Sequence, residues 1–200
     1  MKSFLHIDSG VVPQSEIQGF NTDEWKEIRL ESRPGMDADI EGSIHDLSKV
    51  PTASVDAIYS YHNIVFLYPH EVITVLKEFK RVLKEDGIVV LTCPDLQSAC
   101  EAIVADKLLE PLYNNDMGVP ISPLDIVYGI RANTGQGFTN MAHKCGFTYS
   151  ALLNALGEAG FVSYFGGRRP SAYDLWNVAF VREKTEQEMR SIGKVYIPFE

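Results

Sequence analysis

The chain has 200 residues, 45% hydrophobic and 22% charged, with a net charge of −9 at pH 7. That length suits one domain, 1–200, able to bury a core without staples, and the acidic balance argues against non-specific binding to nucleic acid or an anionic membrane. Cys93, Cys100 and Cys145 show no CxxC spacing and point to neither a disulfide framework nor a zinc site, so a reducing, cytoplasmic setting is expected. MKSFLHIDSG lacks the apolar core of a signal peptide, and no apolar run approaches the ~20 residues of a membrane span.

Phe4, Leu5 and Ile7 before Asp8-Ser9-Gly10 read as a strand ending at a turn. Residues 27–31 give a second strand, stopped by the breaker cluster Ser32-Arg33-Pro34-Gly35, and 38–42 a weaker third. Residues 55–60 form a mostly apolar strand of the kind buried in a parallel sheet. Pro69 then opens a helix in which Val72, Ile73, Val75, Leu76, Phe79, Val82 and Leu83 recur at helical spacing, with Asp86-Gly87 as its end. Ile88–Cys93 follows as another buried strand, and strand, helix and strand in succession predict a βαβ unit with parallel strands.

Residues 95–107 read as helical. From Leu109 to Cys145 the chain turns irregular, with a short helix near Leu124–Tyr128, and an excursion of that length is expected to be a lid or substrate-binding segment. Thr148–Ala159 returns to helical spacing with Gly160 as its cap. Phe161–Phe165 and Leu175–Val181 are predicted as strands joined through Gly166-Gly167-Arg168-Arg169-Pro170, antiparallel because no crossover helix separates them. The tail from Arg182 suits one amphipathic helix.

Four stretches carry a resemblance. VDAIYSYHNIVFLYPHEVITVLKEFKRVLKEDGIVVLTCPD is similar to the fourth-strand, helix, fifth-strand region of the class I S-adenosylmethionine-dependent methyltransferases, with Arg81-Val82-Leu83-Lys84-Glu85-Asp86-Gly87 matching the helix end except for Glu85 in place of the usual proline. TCPDLQSACEAI, PLDIVYGIR and MAHKCGFT resemble a bacterial subfamily of predicted methyltransferases. The resemblance implies an α/β, three-layer Rossmann-like methyltransferase fold, with a mostly parallel seven-stranded sheet and an antiparallel C-terminal hairpin. It also implies S-adenosyl-L-methionine as cofactor.

Carried over residue by residue, the resemblance places Asp8, Ser9 and Gly10 in the cofactor loop, where a glycine-rich turn is usual and only Gly10 keeps it. Asp8 stands where the first glycine is expected, and His6 where the usual acid is. Glu31, with Ser32 beside it, takes the ribose position at the end of the second strand, and Asp46, with His45, takes the adenine position. Ser60 and Tyr61 end the fourth strand, where open α/β sheets place ligands, and Ile64-Val65-Phe66 replaces polar groups of the family. The methionine half-site is thus altered while the nucleoside half-site persists.

Methyl transfer needs alignment and exclusion of water more than acid–base help, so no catalytic triad is expected. If a base acts, His62 and His143 are the candidates, each with a structural role as its alternative. The five histidines form no HxxxH or HExxH spacing, and no G-x-S-x-G elbow, P-loop or G-x-G-x-x-G is present. The two readings are an active methyltransferase, acting on a small-molecule or macromolecular acceptor, and a methyltransferase-like binding or scaffold protein that has lost its cofactor. Both leave homo-oligomerisation open.

Overall fold

The computed structural model describes residues 1–33, 35–115 and 117–198. Among them, seven strands make one sheet: β1 (Lys2–Ile7), β2 (Trp25–Glu31), β3 (Ile40–Glu41), β4 (Val55–Tyr61), β5 (Leu83–Pro94), β8 (Ser163–Arg169) and β9 (Asp174–Phe180). Their order is β3-β2-β1-β4-β5-β9-β8, with β1 to β5 parallel and β9 antiparallel to both β5 and β8. The chain winds outward from β1 in one direction and from β4 in the other. Their carboxyl ends therefore flank the crevice where an open α/β sheet receives ligands. A second sheet pairs β6 (Tyr113–Asn114) with β7 (Pro120–Ile121) inside the expected excursion.

Strand alternation divides the core. Leu5, Ile7, Ile58, Val89 and Leu91 face α1 (Val72–Val82) and α5 (Tyr149–Glu158), whose Val75, Leu76, Phe79, Leu152 and Leu156 are buried against them. Phe4, Ala57, Tyr59, Val90 and Val178 face the opposite way. On that side the β1–β2 connection holds only a 3₁₀ turn, Gln14–Glu16, where a crossover helix would normally lie. The C-terminal α6 (Glu186–Tyr196) helps cover the same face: the Tyr196 ring sits 4.9 Å from Phe20, and Phe20 sits 4.3 Å from Phe4. Thr185 and Glu188 close a capping box at its start. The third layer of the fold is thus built largely from the end of the chain.

Several boundaries differ from expectation. The first long helix begins at Val72 rather than Pro69 and stops at Val82, because Leu83 already pairs with Val55, with a register shift before Ile88 meets Ala57. Asp86-Gly87 therefore lies inside β5. The third strand shortens to Ile40–Glu41. β8 runs straight through Gly166-Gly167-Arg168-Arg169, predicted as a turn, and the turn falls after Arg169. A Cβ on Gly166 would lie 2.0 Å from the Trp176 carbonyl oxygen, so glycine there permits close strand approach. The remaining helices are α2 (Leu96–Val104), α3 (Pro123–Tyr128) and α4 (Arg131–Gly135), and Ala99, Ile121 and Ile126 tie the excursion to α2.

No described helix is long and apolar enough to cross a membrane. Gly193 of α6 lies against Phe165, where a Cβ would approach the ring to 1.9 Å. Gly193→Ala is expected to destabilise the fold by about 2 kcal/mol through overpacking, measured by urea unfolding.

Candidate functional site

The loop after β1 keeps a glycine-like path with Gly10 as the one glycine of Asp8-Ser9-Gly10. Asp8 sits at φ +45° and Gly10 at φ +58°, and the Asp8 N–H continues the ladder to the Leu30 carbonyl at 2.8 Å. An aspartate held left-handed is strained, though less so than a bulkier residue. Burial, and then the nearby Glu31 charge, raise the Asp8 pKa, and Ser32 Oγ donates to its Oδ1 at 3.2 Å. Ser9 is buried, and its Oγ has no hydrogen-bond partner among the described residues. His6 is drawn elsewhere: its Nδ1 lies 2.6 Å from Glu27 Oε1.

Glu31 organises the next strand end. Its carboxylate is fully buried and accepts the backbone N–H groups of Gly10 at 3.0 Å, Ser32 at 3.0 Å and Arg33 at 3.1 Å. Arg33 adds a two-pronged contact, Nε to Oε1 at 2.9 Å and Nη2 to Oε2 at 2.7 Å. Burial alone would raise the Glu31 pKa, but these donors hold it at about 2. Arg29 Nη2 donates to the Gly10 carbonyl at 2.5 Å, so two guanidinium groups clamp the loop from the β2 side.

Three of the cavities among the described residues open along the carboxyl edge and hold most of the expected site residues. One of about 360 Å³ is lined by Glu31, Ser32, Arg33, Ser43, Asp46 and Lys49. A second, of about 600 Å³, is lined by Asp8, Ser32, Arg33, His45, Asn63 and Phe66 on one side and by Asn133, Phe138, Asn140, Met141 and Lys144 of the excursion on the other. The third, of about 500 Å³, holds Tyr61, His62, Tyr113, His143, Arg169 and Asp174. Arg33 borders the first two. The Phe66 ring, which lines the second, is 5.6 Å from the His143 ring, which lines the third.

The expected site residues thus divide. Glu31, Ser32 and Asp46 share the first cavity, Asp8, Ser32 and His45 the second, and Tyr61, His62 and His143 the third. Ser9, Gly10 and Ser60 line none of the three, and Ser60 Oγ is buried without a partner. Asp46 is exposed and its Oδ1 accepts the Ser48 N–H at 2.9 Å, which closes a local turn. His45 Nδ1 lies 3.6 Å from Glu71 Oε1.

His62 takes φ +56°, its ring stacks on Tyr61 at 4.3 Å, and burial pulls its pKa down to about 4. His143 is lowered by burial too, and its Nδ1–H donates to the Ile126 carbonyl at 2.8 Å, which leaves Nε2 as the acceptor nitrogen. Arg33 was absent from the expected site. Asn63 Nδ2 donates to the Ile7 carbonyl at 2.7 Å and so joins the ends of β4 and β1. Arg33 stood in a stretch rich in turn formers, and only its proximity to Glu31 offered a signal.

Residues 22–91 match the family model of the methyltransferase domain. The chain has the class I methyltransferase fold. A SAM-dependent methyltransferase of Thermotoga maritima superposes with a TM-score of 0.54 at 15% identity, covering 91% of this chain and 83% of that one. A Pyrococcus horikoshii protein gives 0.59 at 14% identity over 90% and 81%, and a SAM-dependent methyltransferase of Archaeoglobus fulgidus 0.54 at 12% over 90% and 86%. No curated protein matches the sequence. In this methyltransferase fold the three cavities run along the sheet edge from the ends of β2 and β3, past β1 and β4, to the ends of β5 and β8.

The lowered Glu31 pKa makes stability depend on acid. The group stays ionised in the folded chain down to about 2, against an ordinary value of 4.5, so its contribution is complete above 4.5 and disappears as pH falls toward 2. Urea midpoints measured across that range should fall for the parent chain, and Glu31→Gln should flatten that part of the profile while lowering stability at pH 7.

Proposed function

We propose that the chain is an S-adenosylmethionine-dependent methyltransferase that holds its cofactor across the first two cavities and its acceptor in the third. The observation that carries this reading is a buried, ionised Glu31 at the end of β2, bonded to the Gly10 loop of β1, in a segment that matches the methyltransferase domain. A carboxylate there suits the two ribose hydroxyls. The Asp8 carboxylate and Lys144, which both line the second cavity, supply polar groups of both signs for an amino-acid end. The residues fit the cofactor on one condition: Arg33, half exposed, must release Glu31.

When bound, the cofactor supplies a methyl group activated on a sulfonium. The chain's own residues would position and shield. Asn133, Phe138, Asn140 and Met141, which line the second cavity, would act as a lid and exclude water. His62 and His143, whose pKa values burial lowers, would be the groups to receive a proton from an acceptor. Tyr61 forms the wall on which His62 rests. A cytoplasmic setting accords with three free cysteines, one of them exposed.

Calorimetric titration with S-adenosylhomocysteine tests the reading. Binding that Glu31→Ala abolishes is expected. Arg33→Ala should tighten it about fivefold, the equivalent of losing a competing half-exposed ion pair of ~1 kcal/mol. Neither heat nor a thermal shift at millimolar ligand would leave the scaffold reading in its place.

A further inference from the structure

The cavity of about 600 Å³ between the sheet edge and the excursion is lined by one carboxylate, Asp8, and by Arg33, His45 and Lys144. Two of these four are already engaged. Arg33 holds Glu31 through two nitrogens, and His45 Nδ1 lies 3.6 Å from Glu71 Oε1. Asp8 and Lys144 are different. Asp8 Oδ1 accepts the Ser32 hydroxyl at 3.2 Å, while Oδ2 accepts no hydrogen bond among the described residues and is not sealed from solvent. Lys144 rests its Nζ over the Tyr68 ring at 4.8 Å and meets no carboxylate among the described residues. Nor do the two bridge each other. One cavity therefore keeps an anion and a cation apart, each with its charge unmatched.

The backbone holds the anion at its wall. The Asp8 N–H donates to the Leu30 carbonyl at 2.8 Å, and its φ is +45°. Glycine would adopt that angle freely, but it would leave the cavity without a carboxylate. Strain kept at a residue that lines a cavity points to a functional constraint. Burial, and then the Glu31 charge, disfavour the Asp8 carboxylate, so a cation brought to Oδ2 would relieve it. An ammonium offers three donors and accepts nothing, which suits an open carboxylate oxygen.

We propose that Asp8 determines which ligands this cavity accepts: Oδ2 receives a ligand's ammonium while the carboxylate of the same ligand turns toward Lys144. The inference rests on the assignment of this cavity to the cofactor, and adds that the ammonium is what the cavity selects.

Calorimetric titration of the full chain with three nucleosides tests it. They are S-adenosylhomocysteine, its deaminated analogue, which keeps the carboxylate, and 5′-methylthioadenosine, which lacks the amino-acid end. The parent chain should bind S-adenosylhomocysteine at least about tenfold more tightly than the deaminated analogue, as expected for one charge-assisted hydrogen bond. Asp8→Asn, close to isosteric, should remove that preference. Asp8→Gly, which takes the same φ without strain, should lose the same tenfold; a merely structural Asp8 would let the glycine variant bind as tightly as the parent or more so. Lys144→Met should weaken the two carboxylate-bearing ligands about fivefold and leave methylthioadenosine unchanged. No preference in the parent, a preference kept in Asp8→Asn, undiminished binding to Asp8→Gly, or Lys144→Met weakening neither carboxylate-bearing ligand would each overturn the proposal. In those cases binding of methylthioadenosine that depends on Glu31 would leave the methyltransferase reading standing, whereas no binding by any of the three would remove both.

Discussion

The Glu31 carboxylate is the contact on which the ligand edge depends. It is buried, yet it is surrounded by three backbone N–H groups and one guanidinium. A buried carboxylate is costly unless each lone-pair direction is met. Here the loop after β1, the turn after β2 and Arg33 meet them together. The β1 loop therefore holds its left-handed path at Asp8 without the glycine that would make that path easy. Remove the charge, and the loop loses its anchor and Arg33 its partner.

The same arrangement gives Arg33 a double character. In this state it completes the carboxylate's hydrogen bonds; toward a nucleoside it would be a competitor. A cofactor that takes both oxygens of Glu31 must offer hydroxyls worth as much as the guanidinium it displaces. Arg33 is the group with somewhere to go, because its side chain is half exposed while Glu31 is enclosed. The loop after β1 and the Glu31 carboxylate are thus parts of one electrostatic cluster, in which Asp8, Glu31, Arg29 and Arg33 share a small volume.

Much of the framework was legible from local pattern. The β4–α1–β5 unit announces itself because two apolar runs flank a helix with a single buried stripe, and those signals need no distant partner. The closing pair β8 and β9 was legible for the same reason, although its turn was not. Gly166-Gly167 reads as a breaker locally, whereas the glycine at 166 serves the close approach of Trp176 across the sheet. The replacement of a β1–β2 crossover helix by α6 was equally invisible, since it depends on Tyr196 meeting Phe20 from the far end of the chain. At the site, Glu31 and the histidines could be chosen from position alone. Arg33 could not, because a charged residue in a turn looks solvated until its neighbour proves to be buried.

A structure with S-adenosylhomocysteine bound would test the central claim most directly. The account predicts both ribose hydroxyls on the Glu31 carboxylate and the Arg33 guanidinium swung out toward solvent. A nucleoside bound elsewhere, or one bound while Arg33 still holds Glu31, would contradict it.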